Sequence, residues 1–215
     1  MNYFPKTPFL YVILNADISK TQKVLDIAKA AISNGAKILQ LRKKTGTDKD
    51  FFELAIMLRK LITTKDIKFL INDRVDIALA SNADGVHLGQ DDLPISIARK
   101  IFGNKKIVGK SCHTLKQALE TEKSDVDYIA IGPLFLTNTK FGLPEPVGTK
   151  MIKILKQKIT KPIIAIGGIN LDNINKILNA GANGIAVISA ISEAKDSAIA
   201  VKLLVNSIKR GGNNE

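Results

Sequence analysis

The sequence has few residues of the kinds that build disulfides, zinc sites and aromatic platforms. Its 215 residues include one cysteine, two histidines and no tryptophan, and aromatic residues amount to 5%. A single thiol excludes an intramolecular disulfide and a zinc–thiolate cluster, and the two histidines lack the spacing of a metalloprotease motif. Because nothing in the cysteine content points to an oxidising compartment, we expect a cytoplasmic protein.

Long apolar runs are also absent from the sequence. No stretch of about 18 consecutive apolar residues occurs, and Met1 to Pro8 lack the apolar core of a secretory signal, so we expect no membrane span and no export. Apolar residues nevertheless make up 45% of the chain and charged residues 24%, which is typical of a globular protein. The length is that of one domain with one core.

The charge is strongly positive but is not concentrated. Lysine and arginine number 32 against 20 acidic residues, which gives a net charge of +12, and only five of the 32 are arginine. The lysines are spread along the chain, whereas a nucleic-acid footprint is normally clustered. The charge alone does not choose between nucleic acid, an acidic membrane surface and small anionic substrates. We expect a lysine-rich solvated surface and no specific nucleic acid, although a non-catalytic protein that binds nucleic acid through its basic surface stays open as an alternative.

Short strand-like runs alternate eight times with longer amphipathic stretches. Helices are predicted at Thr21 to Ser33 and Leu171 to Ala180, among others. The predicted strands are Phe9 to Leu14, Ile38 to Arg42, Phe69 to Asp73, Gly85 to Leu88, Ile107 to Cys112, Tyr128 to Gly132, Ile163 to Gly167 and Gly184 to Ser189. Eight units of about 27 residues predict a single-domain (β/α)8 TIM barrel over residues 1–215, with a frayed tail at 210–215. An open doubly wound sheet is less favoured, because no glycine-rich turn follows the first strand.

Polar side chains follow the second, third and fourth predicted strands, at the end of the barrel that carries active sites. Alternation places Gln40, Arg42 and Lys44 on one side, and an inward arginine is costly to bury without an anion. Asp73 and Asp92 offer the hard oxygen ligands that hold magnesium beside a diphosphate. A helix cap at Asp73 and a solvated loop at Asp92 are the competing interpretations.

The later strand ends carry further candidates. Ser111 and His113 share one face of the fifth strand, so that Cys112 points away from them and is expected to be packed and inert. His87 is expected to be an interior histidine with its hydrogen bonds satisfied. Gly168, with the backbone N–H groups after the eighth strand, matches the phosphate site that many barrels use.

Five blocks of the sequence, in their order along the chain, resemble the signature blocks of the thiamine phosphate synthase family. The blocks lie at residues 40–42, 69–76, 85–94, 137–140 and 165–169, and the resemblance extends from Tyr11 to Ile191. That family consists of (β/α)8 barrel transferases, which join a hydroxymethylpyrimidine diphosphate to a thiazole phosphate and release diphosphate. The resemblance therefore implies this reaction by a dissociative path, with Mg²⁺ as the cofactor and these two small molecules as substrates.

The resemblance also implies roles for individual residues. Gln40 would face the pyrimidine, and Asp73 and Asp92 would bind the Mg²⁺. The residues implied to hold the diphosphate are Arg42, Lys44, Asn72, Ser111 and Lys140, with Lys140, Arg42 and Ser111 as the catalytic members. The residues implied to hold the thiazole phosphate are Thr137, Thr139, Gly168, Ile188 and Ser189.

Three residues depart from the family pattern, namely Lys43, Lys110 and Leu136. None of them removes an implied ligand, so we expect them to affect the diphosphate geometry and the rate rather than the reaction. A sister thiazole tautomerase, which uses a histidine at the place of His113 and needs no magnesium, is the alternative within the same superfamily. Self-association into a homo-oligomer is left open by the sequence.

Overall fold

The computed structural model describes residues 3–64, 66–137, 139, 142 and 144–211. Within them, eight parallel strands pair in chain order, and the eighth pairs with the first, which confirms the predicted (β/α)8 barrel. The strands are β1 (Phe9–Asn15), β2 (Ile38–Arg42), β3 (Lys68–Asn72), β4 (Gly85–Leu88), β5 (Ile107–Cys112), β6 (Tyr128–Ile131), β7 (Ile163–Ile166) and β8 (Gly184–Val187).

Helices follow the strands and cover the outside of the barrel. They are α1 (Thr21–Ser33), α2 (Asp48–Leu61), α3 (Val75–Ala80), α4 (Ile95–Phe102), α5 (Leu115–Glu122), α6 (Gly148–Lys156), α7 (Ile174–Leu178), α8 (Ser189–Ser192) and α9 (Ser197–Gly211). In the part of the chain that the structure describes, no helix has the length and apolar character needed to cross a membrane.

The period of two along each strand divides the apolar side chains between two cores. An inner cluster fills the barrel, with the Tyr11 and Tyr128 rings among its largest members. A larger outer cluster lies between the strands and the helices and contains Val108 and Cys112 of β5. This division decides which strand residues can reach the mouth of the barrel, because only the inward-facing series continues into it.

Several predicted boundaries differ from the structure. Strand β1 continues through Asn15, one residue beyond the prediction, and β6, β7 and β8 end one or two residues before the predicted Gly132, Gly167 and Ser189. Strand β3 stops at Asn72, because Asp73 has a positive φ of 63° and leaves the extended conformation. The helix predicted at Leu171 to Ala180 is shorter, Ile174–Leu178. Its first residues form a turn instead, because the Asn170 side chain accepts hydrogen bonds from the backbone N–H groups of Asp172 and Asn173. Helix α9 continues through Gly211, so the first two residues of the predicted frayed tail are helical, and residues 212–215 lie outside the described part.

Candidate active site

The carboxyl ends of β2 to β5 surround a cavity with ionic walls, which we call the charged cavity. Its described lining carries two cationic side chains, Arg42 and Lys44, and three carboxylates. The lining residues are Arg42, Lys44, Asn72, Asp73, His87, Gly89, Gln90, Asp91, Asp92, Ser111, His113, Gln117, Gly142 and Pro144. Among the described lining residues, acidic groups therefore outnumber basic ones, so an additional cation would favour the binding of a diphosphate there.

Two of these carboxylates face each other. The positive φ of Asp73 turns its side chain out of the strand direction and against Asp92, and the Lys44 ammonium forms an ion pair with Asp73. Burial and the neighbouring Asp92 raise the pKa of Asp73 above its ordinary value. Burial also tends to raise the pKa of Asp92. Hydrogen bonds from Asp73 and from the Gly89 N–H, together with nearby lysines, outweigh burial and hold the pKa of Asp92 below its ordinary value. The two carboxylates thus concentrate negative charge beside the Lys44 ammonium, which forms an ion pair with Asp73.

Arg42 is held by groups at the carboxyl end of β1 and in the loop after it. Its guanidinium donates to Asn15 Oδ1 at 3.1 Å and to Asp17 Oδ2 at 2.9 Å. The other Asp17 oxygen accepts from the backbone N–H groups of Lys44 and Thr45, at 2.8 and 3.0 Å. Burial opposes ionisation of Asp17, yet these hydrogen bonds and Arg42 outweigh it and keep its pKa below the ordinary value. Asp17 therefore orients Arg42 and shapes the loop that carries Lys44.

A second cavity lies beside the ends of β6, β7 and β8, and we call it the neutral cavity because its described lining contains no lysine, arginine, aspartate or glutamate. Two consecutive glycines with positive φ, Gly167 and Gly168, form one wall. Helix α8 begins at Ser189, and the first turn of a helix has backbone N–H groups without acceptors inside the helix. The remaining lining is Ser111, His113, Gly132, Pro133, Thr137, Thr139, Ile166, Ile169, Ala186, Val187 and Ile188.

The two cavities share Ser111 and His113. The His113 ring is fixed by Nδ1, which lies 2.6 Å from the Gly132 carbonyl oxygen. Because a carbonyl oxygen only accepts, Nδ1 is the donor of this hydrogen bond. A group bound in the charged cavity and a group bound in the neutral cavity would therefore meet beside these two side chains.

A chain of hydrogen bonds runs through the barrel interior beneath this meeting point. The Gln40 amide nitrogen donates to the Tyr11 hydroxyl at 2.5 Å, and the Tyr11 and Tyr128 hydroxyls are 3.0 Å apart. The Tyr128 hydroxyl is 2.7 Å from His87 Nδ1, and His87 Nε2 is 2.8 Å from Ser111 Oγ. Each member is an inward-facing residue of a different strand.

Only the first hydrogen bond of this chain has a fixed direction, because an amide nitrogen donates and the Tyr11 hydroxyl therefore accepts. The hydroxyl and imidazole groups beyond it can each donate or accept. The chain holds Ser111 Oγ beside His87 Nε2, on the wall that the two cavities share.

Comparisons with known proteins agree with this architecture. Residues 10–191 match the family model described as thiamine monophosphate synthase. The chain belongs to the thiamine monophosphate synthase family. The thiamine-phosphate synthase of Clostridium novyi is 43% identical over 197 residues, which cover 92% of this chain and 97% of that protein. The thiamine-phosphate synthase of Shouchella clausii is 42% identical over 203 residues, covering 94% and 97% of the two chains.

A solved structure supports the same assignment. The thiamine phosphate pyrophosphorylase from Pyrococcus furiosus is 33% identical, covers 98% of this chain and 98% of its own, and superposes with a TM-score of 0.84. The family resemblance inferred from the five sequence blocks is thus confirmed, as is the transferase class, since the named relatives are synthases.

The structure brings together most of the residues that the thiamine monophosphate synthase resemblance implies. Arg42, Lys44, Asn72, Asp73 and Asp92 line the charged cavity with Ser111. Thr137, Thr139, Gly168, Ile188 and Ser189 line the neutral cavity, where the Thr137 hydroxyl lies 3.1 Å from that of Thr139. Lys140 lies outside the described residues.

Gln40 is placed differently from the other implied residues. Its side chain is 2% exposed and donates to Tyr11, and it is not among the described residues that line either cavity. It therefore forms the floor beneath the site, and its contact with a pyrimidine stays a prediction.

The competing interpretations of single residues can be compared with the contacts. Helix α3 begins after Arg74 without a side-chain cap, so Asp73 does not cap it, and Asp92 accepts a hydrogen bond from Gly89 rather than capping α4. His87 has both ring nitrogens in hydrogen bonds, as predicted. Cys112 is packed in the outer core beside Thr121, and burial raises the pKa of its thiol, which agrees with an inert residue.

Three features of the site were not predicted from the sequence: the contacts of Asn15 and of Asp17 with Arg42, and the Tyr11–Tyr128 pair. Asn15 and Asp17 follow the first strand at the active end, and this position alone was the available signal. Tyrosines on the inward-facing series were a signal as well, because a buried hydroxyl normally requires a partner. The spacing of residues along the sequence does not indicate which groups are the partners of these hydroxyls.

We predict that Tyr128→Phe destabilises the protein by about 1–3 kcal/mol, because the Tyr11 hydroxyl and His87 Nδ1 each lose a buried hydrogen bond to Tyr128 while the ring packing is kept. Urea denaturation measures this change. Tyr3→Phe is the matched control, since the Tyr3 hydroxyl donates to the Asn104 carbonyl at an exposed position, and its expected effect is within about 0.5 kcal/mol. Equal stability of the two variants would show that the interior chain contributes nothing specific.

Proposed function

We propose that this chain transfers a (4-amino-2-methylpyrimidin-5-yl)methyl group from its diphosphate to the ring nitrogen of 4-methyl-5-(2-phosphooxyethyl)thiazole, giving thiamine phosphate and diphosphate. The observation that carries the proposal is the pair of adjoining cavities, one ionic and one neutral, which share Ser111 and His113. Two anionic substrates need two separate anion sites with their reactive ends between them. Family membership and the named relatives give the same reaction.

The chemistry requires little proton transfer from the protein. The bond from the pyrimidine methylene to the diphosphate oxygen breaks with its electron pair on the oxygen, and the lone pair of the thiazole nitrogen forms the new bond. The nitrogen becomes quaternary without losing a proton, so no general base is needed. The main task of the site is to stabilise charge on the departing diphosphate more strongly than in the bound substrate, which favours a dissociative path.

Residues around the charged cavity fit this task. Arg42, oriented by Asp17, and Lys44 supply positive charge, and Asn72 is a polar donor at the same wall. The Ser111 hydroxyl, held by His87 on the wall shared by the two cavities, would donate to the diphosphate. The family resemblance implies that Lys140 also binds the diphosphate. In this proposal Arg42, Ser111 and Lys140 act on the leaving group, while the cup of Thr137, Thr139, Gly168, Ile188 and Ser189 holds the thiazole phosphate.

The donor set at Asp73 and Asp92 suits a magnesium ion. Two hard oxygen ligands lie in contact, and the Lys44 ammonium already pairs with Asp73 as a positive charge at that place. Among the described residues no group of three or more acidic, histidine or cysteine side chains forms a metal cage, but magnesium beside a diphosphate needs only one or two carboxylates. Bound there, Mg²⁺ would supply neutralisation of the charge on the diphosphate oxygens.

Diphosphate release by the purified protein tests the proposed function. We expect release only when the pyrimidine diphosphate, the thiazole phosphate and Mg²⁺ are all present, and little release from the pyrimidine diphosphate alone. Absence of release from a folded protein would contradict the proposal.

A thiazole tautomerase is the second candidate, because His113 lies on the wall that both cavities share. It would isomerise a thiazole carboxylate phosphate without magnesium, and tautomerisation without coupling would select it. Salt-resistant retention of a polynucleotide would instead favour the nucleic-acid alternative. A cytoplasmic location and self-association stay predictions, the second of which analytical ultracentrifugation can test.

A further inference from the structure

Lys110 is a buried lysine outside the wall of the candidate active site. Along β5, Ser111 faces the barrel interior, whereas Val108, Lys110 and Cys112 belong to the opposite series that faces the helices. Lys110 is only 8% exposed. Lysine is rarely buried to this extent unless its ammonium has a specific partner, because desolvation of the charge is costly.

The partner of this ammonium is a backbone group of the loop that carries Asp92. Lys110 Nζ donates to the Gly89 carbonyl oxygen, directly after the end of β4. No carboxylate of residues 3–64, 66–137, 139, 142 and 144–211 lies within ion-pair distance of Lys110. A structural salt bridge therefore does not explain why a lysine is buried here.

The same loop is attached to β5 and to itself at two further points. The Gly89 N–H donates to Asp92 Oδ2 at 2.6 Å, and Gln90 Nε2 donates to the Ser111 carbonyl oxygen at 2.5 Å. Gly89 is thus bound on both sides, by the Lys110 ammonium at its carbonyl and by the Asp92 carboxylate at its N–H. Loss of either bond leaves the turn with fewer constraints on the direction of the Asp92 side chain.

We propose that Lys110 is a positioning residue, whose buried ammonium holds the Gly89 carbonyl and so fixes the turn that presents Asp92 to the charged cavity. The inference rests on the proposed function, because Asp92 matters there as a magnesium ligand. Lys110 contacts neither cavity and acts through Gly89.

Lys110→Met tests the proposal, because methionine keeps the length and apolar stem of lysine and removes the donor and the charge. Lys106→Met is a closely matched control: Lys106 Nζ also donates to a backbone carbonyl, that of Ala83, at 2.5 Å, but at the opposite end of the same two strands. Lys110→Arg retains a charged donor and should recover much of the lost function.

Hydrogen–deuterium exchange of the metal-free protein gives a readout that does not depend on activity. We expect faster exchange at Gly89 and the residues up to Asp92 in Lys110→Met, and exchange as in the wild type for this segment in Lys106→Met. In coupling assays we expect Lys110→Met to raise the Mg²⁺ concentration for half-maximal rate by about tenfold, as loss of an outer-shell partner does, and to lower kcat. The KM for the thiazole phosphate should change less than the Mg²⁺ dependence, because the residues proposed to hold its phosphate follow β6 to β8.

The outcomes distinguish a failure of the positioning role of Lys110 from a failure of the proposed function. Exchange and Mg²⁺ dependence equal to the wild type in Lys110→Met would overturn the positioning role while the wild-type coupling activity stands. An equal loss of function in Lys106→Met would show that general destabilisation is responsible and would also overturn it. Absence of coupling activity in the wild type itself would refute the proposed function, whatever the exchange data show.

Discussion

Asp73→Asn and Asp92→Asn are each expected to raise the Mg²⁺ concentration needed for half-maximal diphosphate release and to lower turnover, by about 10- to 100-fold. Loss of a direct oxygen ligand should cost at least as much as the loss of a partner that only orients a ligand. Asparagine keeps the shape of each side chain, and it tolerates the left-handed backbone that Asp73 adopts with φ of 63°. The measurement is a magnesium titration of the initial rate for each variant.

The control for these variants is Asp91→Asn. Asp91 lies beside Asp92 in sequence but is exposed, so its substitution should change the magnesium titration by less than about twofold, as for surface positions in general. Thermal unfolding without metal should show that Asp73→Asn is at least as stable as the wild type, because it removes one of two facing carboxylates. Equal effects of all three substitutions on the magnesium titration would refute the ligand assignment.

Gly168→Ala is expected to raise the KM for the thiazole phosphate by about tenfold or more, which corresponds to about 1.4 kcal/mol of binding free energy. A Cβ at Gly168 would lie 2.5 Å from the Leu136 carbonyl oxygen and 2.8 Å from Phe135 Cβ, so the loop after β6 would have to move. Thr137 and Thr139 belong to that loop and line the neutral cavity with Gly168. Initial rates at varied thiazole phosphate and saturating pyrimidine diphosphate measure the effect.

Gly148→Ala separates this steric effect from backbone strain. The two glycines have nearly the same φ, 65° at Gly168 and 66° at Gly148, but a Cβ at Gly148 would meet nothing within 4 Å. Both substitutions impose the left-handed penalty on alanine, roughly 1–2 kcal/mol of stability. Only Gly168→Ala should also change the KM, and a matching change in Gly148→Ala would attribute the effect to strain rather than to the phosphate cup.

Much of the site could be predicted from the sequence because strand ends in a parallel barrel converge. Asp73 and Asp92 follow neighbouring strands, and the pairing of β3 with β4 brings them together as predicted. Ser111 and His113 share a face because the strand period is two. In each case a local pattern and one rule about barrels were sufficient.

Other contacts could not be predicted because they depend on distances across the closed barrel. Tyr11 and Tyr128 are 117 positions apart in sequence, yet their hydroxyls are hydrogen bonded. Gly109 permits this arrangement, since a Cβ there would lie 2.0 Å from the Tyr128 ring. Arg42 at the end of β2 meets Asp17 in the loop after β1, 25 positions away in sequence.

By itself, the sequence determined the barrel, the family and the type of chemistry, because apolar periodicity and short ordered blocks are local properties of the chain. Only the tertiary structure decided which polar groups are partners: that Asp17 orients Arg42, that Gln40 lies in the floor of the site, and that Lys110 holds the turn before Asp92. The physical reason is that a hydrogen bond requires contact within about 3 Å, and the three-dimensional closure of eight strands sets such contacts.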